Sequence, residues 1–77
     1  MHKFIDVQLT DNGRVRVTFE DGSSFVFSAR DYFQERGVFL SKYRAKNFSV
    51  ASDGKRLYFG VNEITADALY GEAAGND

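Results

Sequence analysis

No cysteine and no proline occur among the 77 residues, and histidine occurs once. The absence of cysteine excludes a disulfide scaffold and any thiolate-ligated zinc or iron–sulfur site, so side-chain packing must hold the fold. It also fits a reducing compartment, and a cytoplasmic location is expected. The start Met1-His2-Lys3-Phe4-Ile5-Asp6 has no long apolar run and reads as a strand, so no secretory leader is expected. No stretch approaches the ~20 apolar residues of a membrane-spanning helix. The net charge of −1 is too small to draw nucleic acid or anionic lipid by bulk electrostatics.

Catalytic patterns are scarce as well. A nucleophile needs a base positioned on it. His2 sits at a terminus, while Ser23 and Ser24 flank a turn glycine, where serine commonly bonds local backbone. Asp21 and Asp53 are explained by their turns and do not announce a carboxylate pair. Metal-ligating spacings of the D-x-D or E-x-x-H kind are missing, and the seven glycines are dispersed as turn punctuation and build no phosphate loop. No catalytic residue, cofactor, metal or small-molecule ligand is therefore expected.

What the chain does have is rings and turns. Eight Phe and four Tyr supply the apolar area that a chain this short needs, since it buries only roughly 60% of its unfolded surface. Asp11-Asn12-Gly13 and Asp21-Gly22 bracket the alternating run Arg14 to Glu20. Asn-Gly and Asp-Gly supply the positive φ that hairpin turns require. Between them Val15, Val17 and Phe19 share one face, and Arg14, Arg16, Thr18 and Glu20 the other, which predicts the middle strand of a β-meander with one wet side. A first strand over 2–10 has Ile5, Val7 and Leu9 facing inward. A third over 24–28 has Phe25 and Phe27 on one face and Val26 on the other.

Downstream, Ser28 caps a predicted helix in which Asp31 makes a variant capping box, and Gly37 ends it. Ala29, Tyr32 and Phe33 share its inner face. Residues 38–47 read in two ways. Phe39, Leu40 and Tyr43 suit a helical turn against the sheet, while a period of two would put Lys42, Arg44 and Lys46 on one extended face; a turn ending near Tyr43, then extended chain, is the reading favoured here. A second hairpin runs from Phe48 to Ala51 and from Arg56 to Gly60, with Phe48, Val50, Leu57 and Phe59 inward. A last helix spans 65–72, capped by Thr65 and anchored by Ala68 and Leu69. The expectation is a single α+β domain over 1–72, with about five antiparallel strands in one sheet, two or three short helices on one face, and a flexible tail over 73–77.

With these elements in place the chain resembles the bacterial family catalogued as domain of unknown function 2442. The resemblance rests on the order Val15-Arg16-Val17-Thr18-Phe19 with Asp21-Gly22, then Gly37-Val38-Phe39, Phe48, Asp53-Gly54 and Asp67-Ala68-Leu69-Tyr70. It covers nearly the whole chain except the last few residues. Two positions depart from the family pattern: Phe59 stands where a Trp is usual, and Gly60-Val61-Asn62-Glu63 replaces the usual motif, which leaves that Trp without a counterpart in any ligand role. The resemblance implies an α+β fold with an antiparallel sheet, in a stand-alone small protein or a domain fused to a repressor-like helix-turn-helix. It implies no catalytic residue.

Charge is distributed unevenly. Residues 26–56 carry seven cations against three acids, a net of +4, whereas residues 57–77 carry four acids and no cation. Two functional readings follow. A non-enzymatic interaction or regulatory module would bind a protein partner or itself through an exposed strand edge or a tyrosine such as Tyr32, Tyr58 or Tyr70; for Tyr70, stapling the last helix to the sheet is the simpler role. The alternative is a nucleic-acid-associated protein using the basic–aromatic segment 42–58, with Lys42, Arg44, Lys46, Arg56 and Tyr58 on one surface.

Overall fold

A computed structural model describes residues 1–75. The α+β class expected from the sequence is observed, but the strands form two sheets instead of one. The first sheet is a meander of β1 (Phe4–Leu9), β2 (Val15–Phe19) and β3 (Ser24–Phe27), all antiparallel in the order β1-β2-β3. Then come two short helices, α1 (Ala29–Gln34) and α2 (Lys42–Lys46). A second meander of β4 (Ser49–Val50), β5 (Arg56–Phe59) and β6 (Asn62–Thr65) follows, and α3 (Ala66–Ala74) closes the described chain. Among the described residues no helix is long and apolar enough to cross a membrane.

Turn chemistry produces the first meander. Thr10 and Arg14 close a three-residue loop whose last member, Gly13, has φ of 80°, and Phe19 and Ser23 close a second with Gly22 at 89°. Both are the hairpin form in which a glycine in the left-handed region absorbs the bulge. Register follows, and Val15, Val17 and Phe19 are buried as expected, with Phe27 beside them. In β1 the expected inward set is wrong at Ile5. The pairing shifts between Phe4 and Asp6, so Ile5 is the extra residue of a bulge and stands 63% exposed, while Phe4 takes the core position. Leu9, at the strand end, is also exposed.

The sixth strand explains why a single five-stranded sheet was the wrong expectation. Asn62-Glu63-Ile64-Thr65 holds one strongly apolar residue and does not read as a strand. It becomes one because Gly60, with φ of 68°, opens a two-residue hairpin loop that pairs Phe59 with Asn62. Ile64 then meets Leu57 on the core side. The twenty-odd residues between β3 and β4 are spent on two helices, so the second meander starts as a separate sheet. One backbone bond, Phe4 N–H to the Gly54 carbonyl at 2.7 Å, links the loop between β4 and β5 to β1.

Segment 38–47 is the reverse of the favoured reading. α1 ends in a Schellman arrangement, with Val38 N–H on the Phe33 carbonyl and Gly37 N–H on the Gln34 carbonyl, and the chain leaves it extended. Extended backbone alternates its side chains, so Leu40 is buried and Phe39 is 81% exposed. The helix comes afterwards, capped by Ser41 Oγ accepting from Arg44 N–H, with Ala45 buried and Tyr43 facing out. Val50 of β4 is exposed rather than inward. In α3 Thr65 is the cap, as expected, but Ala66 joins Leu69 in the core and Ala68 faces out. That helix reaches Ala74, two residues beyond the expected end, and Gly75 closes it in the left-handed region; the rest of the expected tail, 76–77, lies outside the described residues.

One core serves both sheets. Phe33 of α1 meets Phe59 of β5 in an edge-to-face arrangement at 5.8 Å, and Phe48 packs against Phe59 at 5.6 Å with its ring tilted. No polar or charged side chain is buried among the described residues, so the packing carries no desolvation debt.

Candidate functional site

Three of the twelve rings decide where the surface is interesting. Phe39 is 81% and Tyr43 67% exposed, while Tyr70 is held down. Tyr70 lies edge-on to Phe19 at 5.0 Å, stacks on the His2 imidazole at 3.7 Å, and donates its hydroxyl to Asp21 Oδ2 at 2.6 Å. His2 N–H donates to Asp67 Oδ1, so the N-terminus and α3 are fastened together. Tyr70 is thus the staple that its position beside Leu69 predicts.

This latch has a pH signature. Asp21 accepts from the Ser23 hydroxyl and the Ser23 N–H as well as from Tyr70. The Ser23 hydroxyl first, and Tyr70 next, hold its carboxyl down to about 2. The same carboxylate raises the Tyr70 phenol above its usual value. A depressed carboxylate gives stability that is complete above the usual carboxylate range and lost as pH falls through its folded value. A raised phenol gives stability that is complete below the usual tyrosine range and lost at higher pH. Thermal midpoints followed across the acid range are expected to fall less steeply for Tyr70→Phe than for wild type, and Asp21→Asn should remove this contribution altogether.

Of the two exposed rings, Phe39 borders a different region. Between α1 and the extended segment 38–41 lies an open hollow of about 630 Å³, lined by Arg30, Gln34, Val38, Phe39 and Leu40, with Asp31 its one acid. A second hollow of about 290 Å³ adjoins it and shares Ser28 and Arg30. Arg14, Arg30, Lys42 and Lys46 all line this second hollow, and no acid does. Arg30 connects the two: its Nε donates to the Leu40 carbonyl at 3.0 Å, and its guanidinium carbon lies 5.9 Å from the Phe39 ring centre.

The expected basic–aromatic surface is divided by the fold. Lys42 and Lys46, one helical turn apart, are brought together at the second hollow. Arg44 points elsewhere, and its side chain lies over Gly60, where a Cβ would come within 3.2 Å of Nε. Arg56 pairs with Glu63 at 3.6 Å on the second sheet, and Tyr58 stands half-buried on the same strand. Sequence reasoning passed over Arg14, Arg30 and Phe39. Arg14 was visible only as an outward strand residue; Phe39 was detectable from the alternation Val38-Phe39-Leu40 once that segment is taken as extended.

No family model, curated protein or solved structure matches the chain.

Proposed function

We propose that the chain is a non-enzymatic protein-interaction module, a member of the domain of unknown function 2442 family, whose recognition surface is the hollow beneath Phe39. Its occupant is a segment of a partner protein that offers an apolar or aromatic side chain to Val38, Phe39 and Leu40 and negative charge to the cations alongside. The observation that carries this reading is Phe39 itself. In a chain that buries Phe4, Phe19, Phe27, Phe33 and Phe59, it stands 81% exposed at the rim of the hollow of about 630 Å³. Covering such a side chain is worth about 1.5–3 kcal/mol, and aromatic and Arg side chains are the commonest anchors of protein interfaces.

The test compares tagged wild type with Phe39→Ser and with Val61→Ser, a control at a hairpin tip that is 98% exposed and lines neither hollow. Both variants should keep the wild-type circular dichroism. A partner recovered from the host by wild type and by Val61→Ser should be lost with Phe39→Ser, since removal of an anchor weakens binding by about 2 kcal/mol, or about thirtyfold. Equal recovery with all three proteins would reject the proposed surface.

A further inference from the structure

Four cations share one small hollow without an acid among its lining residues. The ion pairs among the described residues use Arg36, with Glu35 and Glu72, and Arg56, with Glu63. Arg14, Arg30, Lys42 and Lys46 take part in none of them, although the chain carries eleven acids. Like charges gathered this way repel one another, and a bound anion relieves that repulsion.

The side chain of Arg30 is also held in position, and the backbone that carries the other three cations is fixed. Arg30 is anchored on the Leu40 carbonyl. Arg14 follows a loop tied by Thr10, whose hydroxyl accepts from Arg14 N–H and donates to Asn12 Oδ1. Lys42 and Lys46 project from a helix capped at Ser41. Fixing the Arg30 guanidinium and the backbone beneath the other cations before binding lowers part of the ordering cost of association. We infer that the hollow formed by Arg14, Arg30, Lys42 and Lys46 is an anion subsite that takes the clustered carboxylates of an acidic peptide segment. This rests on the interaction reading above and specifies the chemistry of the partner.

Three observations favour an acidic peptide over a nucleic acid strand. The cations fill one hollow of about 290 Å³ instead of marking out a track. The net charge of −1 gives a long polyanion no general attraction. The adjoining hollow, joined through Ser28 and Arg30, is walled by Val38 and Leu40, so a segment carrying acids next to an apolar side chain occupies both.

Fluorescence anisotropy with a labelled glutamate-rich peptide ending in phenylalanine tests this, with a labelled oligothymidylate of equal charge as the comparison. Saturable peptide binding is expected at low ionic strength, weakening as salt is added. The double variant Lys42→Ala, Lys46→Ala, both at exposed positions, should weaken it by about tenfold or more, and Arg56→Ala by less than about twofold. Absence of saturable binding, or equal loss with Arg56→Ala, would overturn the inference. So would tighter binding of the oligothymidylate with the same dependence on Lys42 and Lys46, which would make the surface a nucleic-acid site. If the peptide fails but Phe39-dependent recovery of a partner persists, the subsite alone is wrong; if Phe39→Ser still recovers the partner, the interaction surface itself is wrong.

Discussion

Phe59→Ala is expected to lower the unfolding free energy by about 3–5 kcal/mol, read from urea denaturation at neutral pH. Phe59 is fully buried and packs against the rings of both Phe33 and Phe48, so truncation opens a cavity where α1 meets the second sheet. A domain of this size has on the order of 4–11 kcal/mol to lose, and the variant should be largely unfolded at modest urea concentrations. Tyr43→Ala, at a ring that faces solvent, should change stability by less than about 0.5 kcal/mol and so separates packing from aromatic content. The same geometry bears on the family resemblance. With no exposed surface at this position, Phe59→Trp forces extra volume into the core, at a cost of about 1–3 kcal/mol unless neighbours shift.

The second large effect lies at the joint between the sheets. Gly54→Ala is expected to cost about 2–4 kcal/mol, of which about 1–2 kcal/mol is the penalty for a Cβ in the left-handed region. The remainder comes from a specific collision. Gly54 has φ of 73°, and a Cβ there would sit 2.8 Å from the Phe4 carbonyl oxygen, which is backbone and cannot swing away. Relief would require pulling the loop from β1 and stretching the bond from Phe4 N–H to the Gly54 carbonyl. Gly13→Ala provides the comparison. Gly13 has φ of 80° but nothing within 4 Å of its would-be Cβ, so only the backbone penalty of about 1–2 kcal/mol applies. Equal losses for the two variants, measured as urea midpoints at constant slope, would show that the joint yields.

Local chemistry made much of the first half legible. Asn12-Gly13 and Asp21-Gly22 set the turns, the alternation in 14–20 set the register, and Ser28 with Gly37 bounded α1. Each of these signals lies within a few residues of the element it specifies, so no distant contact is needed to read it. Ile5 failed because a bulge has no signature of its own; it depends on where Phe4 meets Phe19 across the ladder. Residues 38–46 failed because Ser41 capping and Phe39 exposure both depend on α1 having already turned the chain back at Gly37. The two adjoining hollows, one walled by Phe39 and the other by cations outside the ion pairs of the described residues, were least legible of all, since Arg14, Arg30, Lys42 and Lys46 come from three separate elements and loops.

The order of residues by itself thus determined the α+β class, the first meander with its buried valines and phenylalanines, the helix caps at Ser28 and Thr65, and the lack of thiolate chemistry. Tertiary structure alone decided that there are two sheets, that β6 exists, that Phe39 faces solvent, and that four cations from distant positions converge while Arg56 and Tyr58 stay apart from them. The division has a simple cause. Turn conformations and side-chain alternation are settled by neighbours along the chain, whereas sheet membership, exposure and charge clustering are settled by which surfaces must be covered to bury the rings.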